Sequence, residues 1–220
     1  MASPMNRTEP RRPGPRLYLW TPTATDAGTL ARALAAALAG ADVAAVLLRL
    51  AVDDERGVIN AVKALAPTVQ GSGAALLLDG HAELAARAGA DGAHLSGTEE
   101  FQAALAALKP DRIAGCGGLA SRHDAMVAAE GGADYVMFGE PDADGARPAF
   151  SAVVERVTWW AEVFEAPCVG FAGDLDEAGA LVAAGADFIA MGESIFADAR
   201  GPQAATAEAA KRLIGVEPVG

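Results

Sequence analysis

Short apolar runs alternate with longer, alanine-rich amphipathic segments along almost the whole chain. Val43–Leu50 is apolar at nearly every position, as expected for a strand that is buried on both faces. Strands that alternate with helical segments predict βαβ units and a parallel sheet. The predicted strands are Leu17–Trp20, Val43–Leu50, Ala74–Leu78, Ala93–Leu95, Arg112–Gly115, Tyr135–Phe138, Cys168–Phe171 and Phe188–Met191.

The segments between these runs predict helices with recognisable ends. Thr25 or Asp26 is expected to cap the first helix, Thr98 the fourth and Ser121 the fifth. Pro67 is expected to end the second helix, because proline lacks the backbone N–H that a helix interior uses. The predicted helices are Leu30–Leu38, Val58–Leu65, Ala82–Ala88, Phe101–Leu108, Ser121–Glu130, Phe150–Phe164, Asp176–Ala183 and Gln203–Leu213.

A Gly-Ala-Asp sequence occurs four times, with its aspartates at Asp42, Asp91, Asp134 and Asp187. Each copy ends a helical segment with glycine and precedes an even-numbered predicted strand. Such regularity favours closure of the sheet over an open doubly wound sheet, and eight strand–helix units fit the lower size limit of a barrel. The sequence therefore predicts a single (β/α)₈ TIM barrel over residues 17–215.

Composition and charge exclude several classes of partner. The net charge is −12 and no basic stripe with interleaved aromatic residues occurs, which argues against nucleic acid and anionic membrane surfaces. The apolar runs are also too short to span a membrane. With only Cys116 and Cys168, the chain is expected to be a reduced, cytoplasmic protein. Residues 1–16 hold four prolines and four arginines without an apolar core, which predicts a disordered tail rather than a secretion signal.

Active sites of such barrels lie at the carboxyl ends of the strands, where this chain has few polar side chains. Arg49 is the strongest catalytic candidate, because a cation among apolar strand residues needs an anionic partner, either Asp79 or a bound ligand. The other catalytic candidates have structural alternatives. Asp79 could cap a helix, His94 could be a hydrogen-bonded core residue, and the Cys116 thiol could simply replace a small polar group.

Several stretches resemble the thiamin phosphate synthase superfamily, which includes the thiazole tautomerases. The resemblance rests on Leu17-Tyr18-Leu19, Ala90–Leu95, Ala133–Gly139 and Pro167-Cys168-Val169, and it extends from Leu17 to Leu213. It implies a transferase of thiamin biosynthesis that joins an aminopyrimidine diphosphate to a thiazole phosphate, with Mg²⁺ on the diphosphate. The implied partners are small phosphorylated or anionic molecules, and a homo-oligomer is an open expectation.

The resemblance also assigns ligand-binding positions. It implies Asp79 and Glu99 as metal ligands and Gly173 and Gly192 as a phosphate cradle built from backbone amides. Asp174 and Glu193 follow those glycines and would repel phosphate unless a cation intervened.

Several family motifs are replaced. The family's Gln-x-Arg-x-Lys reads Leu47-Leu48-Arg49-Leu50-Ala51, its Asn-Asp-Arg reads Leu78-Asp79-Gly80, its Gly-x-Ser reads Gly115-Cys116-Gly117, and its Thr-x-Thr-Lys loop is replaced by the acidic segment Glu140–Asp144.

These replacements leave two alternatives to the synthase. One is a diverged barrel enzyme that performs isomerase-type acid–base chemistry on another small anion, with Asp79, Glu140 or Asp174 as the base. The other is a binding or regulatory homologue without turnover. The segment Glu140–Asp144 is expected to be either a solvated lid or a divalent-cation site.

Overall fold

The computed structural model describes residues 14–52 and 54–214. In these ranges eight parallel strands pair in chain order, and the eighth pairs with the first to close a barrel. The predicted single (β/α)₈ barrel is confirmed. The strands are β1 (Arg16–Trp20), β2 (Val43–Leu48), β3 (Ala75–Asp79), β4 (Gly92–Ser96), β5 (Ile113–Gly117), β6 (Tyr135–Phe138), β7 (Cys168–Ala172) and β8 (Phe188–Met191).

A helix follows every strand, and two follow β8. No helix within the described residues is long and apolar enough to cross a membrane. The helices are α1 (Ala27–Leu38), α2 (Glu55–Gln70), α3 (Ala82–Ala88), α4 (Thr98–Leu108), α5 (Arg122–Glu130), α6 (Phe150–Val163), α7 (Leu175–Ala183), α8 (Glu193–Phe196) and α9 (Pro202–Ile214).

Side-chain caps fix several helix starts as expected. Asp26 caps α1 by accepting hydrogen bonds from the N–H groups of Gly28 and Thr29. Ser121 and Asp124 form a capping box at the start of α5, in which each side chain accepts the other residue's backbone N–H. Both caps satisfy backbone donors that the first helical turn leaves without a partner.

Other predicted boundaries were wrong. Pro67 lies inside α2, which runs on to Gln70 because proline removes only its own N–H and its carbonyl still accepts from Gly71 N–H at 3.1 Å. Thr98 is the first residue of α4 rather than its cap, which is Gly97. Residues 1–13 of the predicted tail lie outside the described residues, and its last residue, Arg16, begins β1.

The Gly-Ala-Asp repeats lie at the amino-terminal end of the barrel. Three of their aspartates accept a hydrogen bond from a backbone N–H in the preceding strand, and so tie neighbouring strands together. The fourth, Asp42, pairs with Arg16 at 2.9 Å. The repeats therefore stabilise the fold at the end opposite the expected active site. The three backbone donors are Leu76 to Asp91 at 2.7 Å, Ala114 to Asp134 at 2.7 Å and Cys168 to Asp187 at 2.9 Å.

Strand side chains alternate between the barrel interior and the layer under the helices. The interior combines aliphatic side chains with the aromatic rings of Tyr18, Trp20, Tyr135 and Phe171. Gly115 and Gly117 face the interior on β5, where a Cβ at Gly115 would collide with the Tyr135 ring. Interior cluster residues are Tyr18, Trp20, Ala45, Leu47, Leu77, Tyr135, Met137, Val169, Phe171 and Ala190.

We expect Gly115→Ala to lower the free energy of unfolding by about 3 kcal/mol, because a packed interior cannot absorb the added methyl group. Urea unfolding measures the change. Gly28→Ala is the matched control: its Cβ would lie 3.5 Å from Asp26 Oδ1, an ordinary contact. That variant should gain about 0.5 to 1 kcal/mol by losing glycine's freedom in the unfolded chain. Equal stability of the two variants would contradict the packing argument.

Candidate active site

A cleft of about 590 Å³ opens at the carboxyl ends of the strands. Its lining comes from the loops after β1, β2, β6, β7 and β8, and it includes two cations, Arg49 and Arg147. Both glycines that were predicted to bind phosphate, Gly173 and Gly192, also line it. The barrel thus brings residues that are far apart in the chain into one open, charged cavity.

Arg49 follows the end of β2 and is held by three neighbours. Its backbone N–H donates to Thr21 Oγ1 at 3.0 Å, and its Nε donates to Asp79 Oδ2 at 3.3 Å. Its guanidinium lies 5.1 Å from the centre of the Trp20 ring. Asp79 is therefore the anionic partner of Arg49. The two side chains stay 31% and 40% exposed, so both can also contact a ligand.

His94, Tyr135 and Tyr18 form a hydrogen-bonded chain across the barrel interior. His94 Nδ1 lies 2.9 Å from the Tyr135 hydroxyl, which lies 3.0 Å from the Tyr18 hydroxyl. Burial lowers the pKa of His94 to about 4, and it raises the pKa of both tyrosines. At neutral pH these groups are uncharged, and the imidazole is the hydrogen-bonded core residue that the sequence offered as an alternative.

Gly117 and Gly118 let the Glu140 carboxyl approach the barrel interior on the side of the His94 Nε2 edge. Gly118 N–H donates to Glu140 Oε1, and a Cβ on Gly117 would collide with both Glu140 Oε1 and His94 Nε2. Burial raises the pKa of the Glu140 carboxyl. From its position directly after strand β6, the sequence offered Glu140 as part of a solvated lid, as part of a divalent-cation site or as a general base at the mouth.

Arg147 is a cation of the cleft that sequence reasoning missed. It donates to the carbonyls of Gly139 at 3.1 Å and Phe171 at 3.2 Å, and to Glu177 Oε2 at 2.8 Å. The same Glu177 oxygen accepts a hydrogen bond from Gly173 N–H at 2.6 Å. The backbone N–H that was predicted to donate to phosphate therefore donates to a carboxylate. Arg147 is the only arginine between β6 and α6, and that was the available signal.

The other acids of these loops have structural partners. Asp174 caps α7 by accepting hydrogen bonds from the N–H groups of Asp176 and Glu177. Asp142 accepts from the N–H groups of Asp144 and Ala146 within its own loop. Asp142 and Asp174 are therefore engaged in local structure, whereas Glu193 is exposed and lines the cleft.

Cys116 and Glu99 do not line the cleft that holds Arg49 and Arg147. Cys116 lies in β5 rather than in a loop, because the strand extends to Gly117, and its side chain packs under the helices. Burial raises its thiol pKa to about 12, which disfavours the reactive thiolate. Glu99 is exposed in the first turn of α4. Across residues 14–52 and 54–214, no three His, Cys, Asp or Glu side chains converge as a metal site.

Comparison with known proteins gives a consistent result. The thiamine monophosphate synthase family matches residues 17–195. Thiamine-phosphate synthase of Rhodospirillum centenum is 43% identical over 197 residues, which cover 88% of this chain and 95% of the relative. The corresponding protein of Hyphomonas neptunium is 36% identical over 212 residues, with 91% and 95% coverage.

Among solved structures, thiamine phosphate pyrophosphorylase from Pyrococcus furiosus superposes with a TM-score of 0.75. It shares 23% sequence identity and covers 90% of this chain and 95% of its own. Similarity at this level shows the fold alone. Orotidine 5'-phosphate decarboxylase from Pyrococcus horikoshii, with 14% identity and a TM-score of 0.66, has the same barrel architecture.

The burial of neutral His94 predicts a pH dependence of stability. In the unfolded chain the imidazole binds a proton near its usual pKa of 6.5, whereas in the folded barrel it stays neutral down to about 4. Lowering the pH between these values therefore favours the unfolded state, by about 3 kcal/mol in total. Urea unfolding of the parent and of His94→Asn across this range measures the effect. The difference between the two curves should shrink steadily as the pH falls, and a constant difference would contradict a neutral imidazole.

Proposed function

This chain belongs to the thiamine monophosphate synthase family, and we propose that it joins an aminopyrimidine diphosphate to a thiazole phosphate in thiamin biosynthesis. The observation that carries the proposal is the single cleft that holds Arg49, Arg147, Gly173 and Gly192 together. A reaction between two anionic substrates needs cations within reach of both. The near full-length similarity to thiamine-phosphate synthases supports the same assignment.

The proposed reaction exchanges one bond for another. The thiazole nitrogen lone pair forms a bond to the methylene carbon of the pyrimidine, and the carbon–oxygen bond to the diphosphate breaks. Pyrophosphate leaves with the bonding electron pair and carries the developing negative charge. In this proposal Arg49 stabilises that charge, because its partly exposed guanidinium can turn from Asp79 toward the leaving group.

Arg147 supplies the cation that the sequence pattern lacked beside the predicted phosphate cradle. Its guanidinium contacts Glu177 and is so close to Gly173 that a Cβ there would lie 2.6 Å from one of its nitrogens. A phosphate at Gly173 would take over the donors that the Glu177 carboxylate now uses. Gly192, which follows the neighbouring strand β8 and lines the same cleft, would provide the second part of the proposed cradle.

Magnesium is compatible with this site but needs substrate oxygens to complete it. Mg²⁺ is typically held by one or two carboxylates together with substrate phosphates and water, so the absence of a three-carboxylate cluster among the described residues is no obstacle. Asp79, at the cleft beside Arg49, would be the first ligand, and Glu99 stays a sequence-based prediction for a second. When bound, the ion would neutralise charge on the diphosphate.

The open, charged mouth weighs against a non-catalytic binding protein with a plugged barrel. The isomerase alternative is favoured by one observation, the closeness of both Glu140 Oε1 and His94 Nε2 to the same position beside Gly117. An assay of both substrates distinguishes it from the synthase, since an isomerase would release no pyrophosphate. Cys116 as a catalytic residue, a cytoplasmic location and a homo-oligomer stay predictions.

The proposal predicts that Arg49→Ala and Arg147→Ala each lower kcat/KM by about 10- to 100-fold, because each removes a charge-assisted hydrogen bond to a substrate phosphate. The measurement is formation of thiamin phosphate and pyrophosphate from both substrates with Mg²⁺, by the purified full-length protein. Arg87→Ala is the matched control, since Arg87 pairs with Glu55 on the exposed helical surface. Loss of activity in the control as large as in the site variants, or no product from the parent protein, would refute the assignment.

A further inference from the structure

Glu140 has no role in the proposed reaction, yet it occupies a central place at the mouth. It also lines a second cleft, of about 400 Å³, which shares Pro141 and Arg147 with the first. Two adjoining clefts provide room for two substrates to meet. Ser96, Gly118 and Arg156 line the second cleft with Glu140.

The Glu140 carboxyl is held by a backbone amide rather than by a cation. Gly118 N–H donates to Oε1, and none of the ion pairs in the described parts of the chain includes Glu140. The nearby Arg156 guanidinium donates instead to the carbonyls of Leu119 at 2.8 Å and Ala120 at 2.7 Å. Burial without a paired cation raises the carboxyl's pKa and favours its protonated form.

A protonated carboxyl presents one donor and one acceptor on the same edge. An aminopyrimidine presents the reverse arrangement, with an N–H donor on its amino group beside an acceptor ring nitrogen. The two edges can therefore form a pair of parallel hydrogen bonds. The carboxyl accepts backbone hydrogen bonds from Gly118 and from Glu140 itself, and Glu140 lines the second cleft, from which a ligand can reach it.

The surroundings of Glu140 suit a flat heterocycle. The His94 and Tyr135 rings are stacked with centroids 5.7 Å apart, and the Trp20 ring meets His94 edge-on at 6.0 Å. Trp20 in turn meets Phe171 at 5.4 Å. A Cβ on Gly117 would collide with both His94 Nε2 and Glu140 Oε1, so the bare backbone there lets the carboxyl lie close to the imidazole. Trp20 and Phe171 line the first cleft, and planar aromatic ligands gain both apolar burial and ring contacts against such rings.

We propose that Glu140 is a specificity-determining residue that binds the amino group and adjacent ring nitrogen of the aminopyrimidine substrate, beside His94 at the barrel mouth. This inference rests on the proposed function, because that reaction supplies an aminopyrimidine. It assigns the pyrimidine to the side of the mouth near β4, β5 and β6. The thiazole phosphate then lies on the side near β7 and β8.

The test combines protein variants that lack the Glu140 carboxyl with a ligand that lacks the amino group. The probes are an aminopyrimidine methanol without phosphate and the same compound with hydrogen in place of the amino group. Calorimetry measures the affinity of both for the parent protein, Glu140→Ala, Glu140→Gln and the control Glu130→Gln, whose side chain is exposed at the end of α5. Thermal melting checks that each variant is folded.

The parent and Glu130→Gln should prefer the amino compound by about tenfold, the effect of one good hydrogen-bonded pair. In Glu140→Ala the preference should fall below about threefold, and Glu140→Gln should retain most of it because an amide also offers one donor edge and one acceptor. An unchanged preference in folded Glu140→Ala, or no binding of the amino compound by the parent, would overturn the proposal. Because the probes carry no diphosphate, selective binding without turnover would refute the proposed function alone.

Discussion

The polar end of the barrel interior depends on one buried hydrogen-bonded chain. Tyr18 from β1, Tyr135 from β6 and His94 from β4 meet where an all-apolar interior would otherwise continue to the mouth. Three polar groups can be buried there because each forms a hydrogen bond with another, which avoids the free-energy cost of a buried donor without an acceptor. Gly115 makes this possible, since a side chain at that position would displace the Tyr135 ring.

That chain sets what the mouth can do. With its Nδ1 engaged by Tyr135, the neutral imidazole can present only Nε2 toward Gly117 and Glu140. Charged groups are thereby kept to the rim, where Arg49 pairs with Asp79 and Arg147 with Glu177. Partly exposed pairs of this kind cost little to rearrange, because water can solvate whichever partner a ligand displaces. The interior supplies shape and neutral hydrogen bonds, and the rim supplies exchangeable charge.

The fold could be predicted almost completely, because the hydrophobic periodicity and the glycine positions determine each strand, helix and turn from neighbouring residues alone. β6, β8 and α3 matched their predicted bounds, whereas β2 and β5 differed at their carboxyl ends. That difference matters for Cys116, which the longer strand β5 directs under the helices and away from the cleft. Whether a side chain near a strand end faces inward depends on a single residue of register, and periodicity does not resolve that.

The site was harder to predict, because its partners are distant in the chain. Arg49 with Asp79 was anticipated, since both follow strands that are neighbours in the sheet. Arg147 was missed because its loop contains more acids than cations, and only the folded chain shows the guanidinium reaching Phe171 and Glu177 of β7 and α7. Of the two acids that were expected to repel phosphate, Asp174 caps a helix, whereas Glu193 is exposed and lines the cleft. Glu177, which the sequence did not indicate, forms an ion pair with Arg147.

Replacement of family motifs therefore does not by itself indicate loss of function in this chain. A charge that disappears from one loop can be supplied by another whose side chain reaches the same cleft, as Arg147 does beside Gly173. What the barrel constrains is the position of a charge relative to the strand ends, not its position along the chain. Glu140 follows the same logic, since its placement over Gly117 depends on β5 and β6 being adjacent. Function should therefore be compared between such barrels by the groups that reach the mouth, whichever loop carries them.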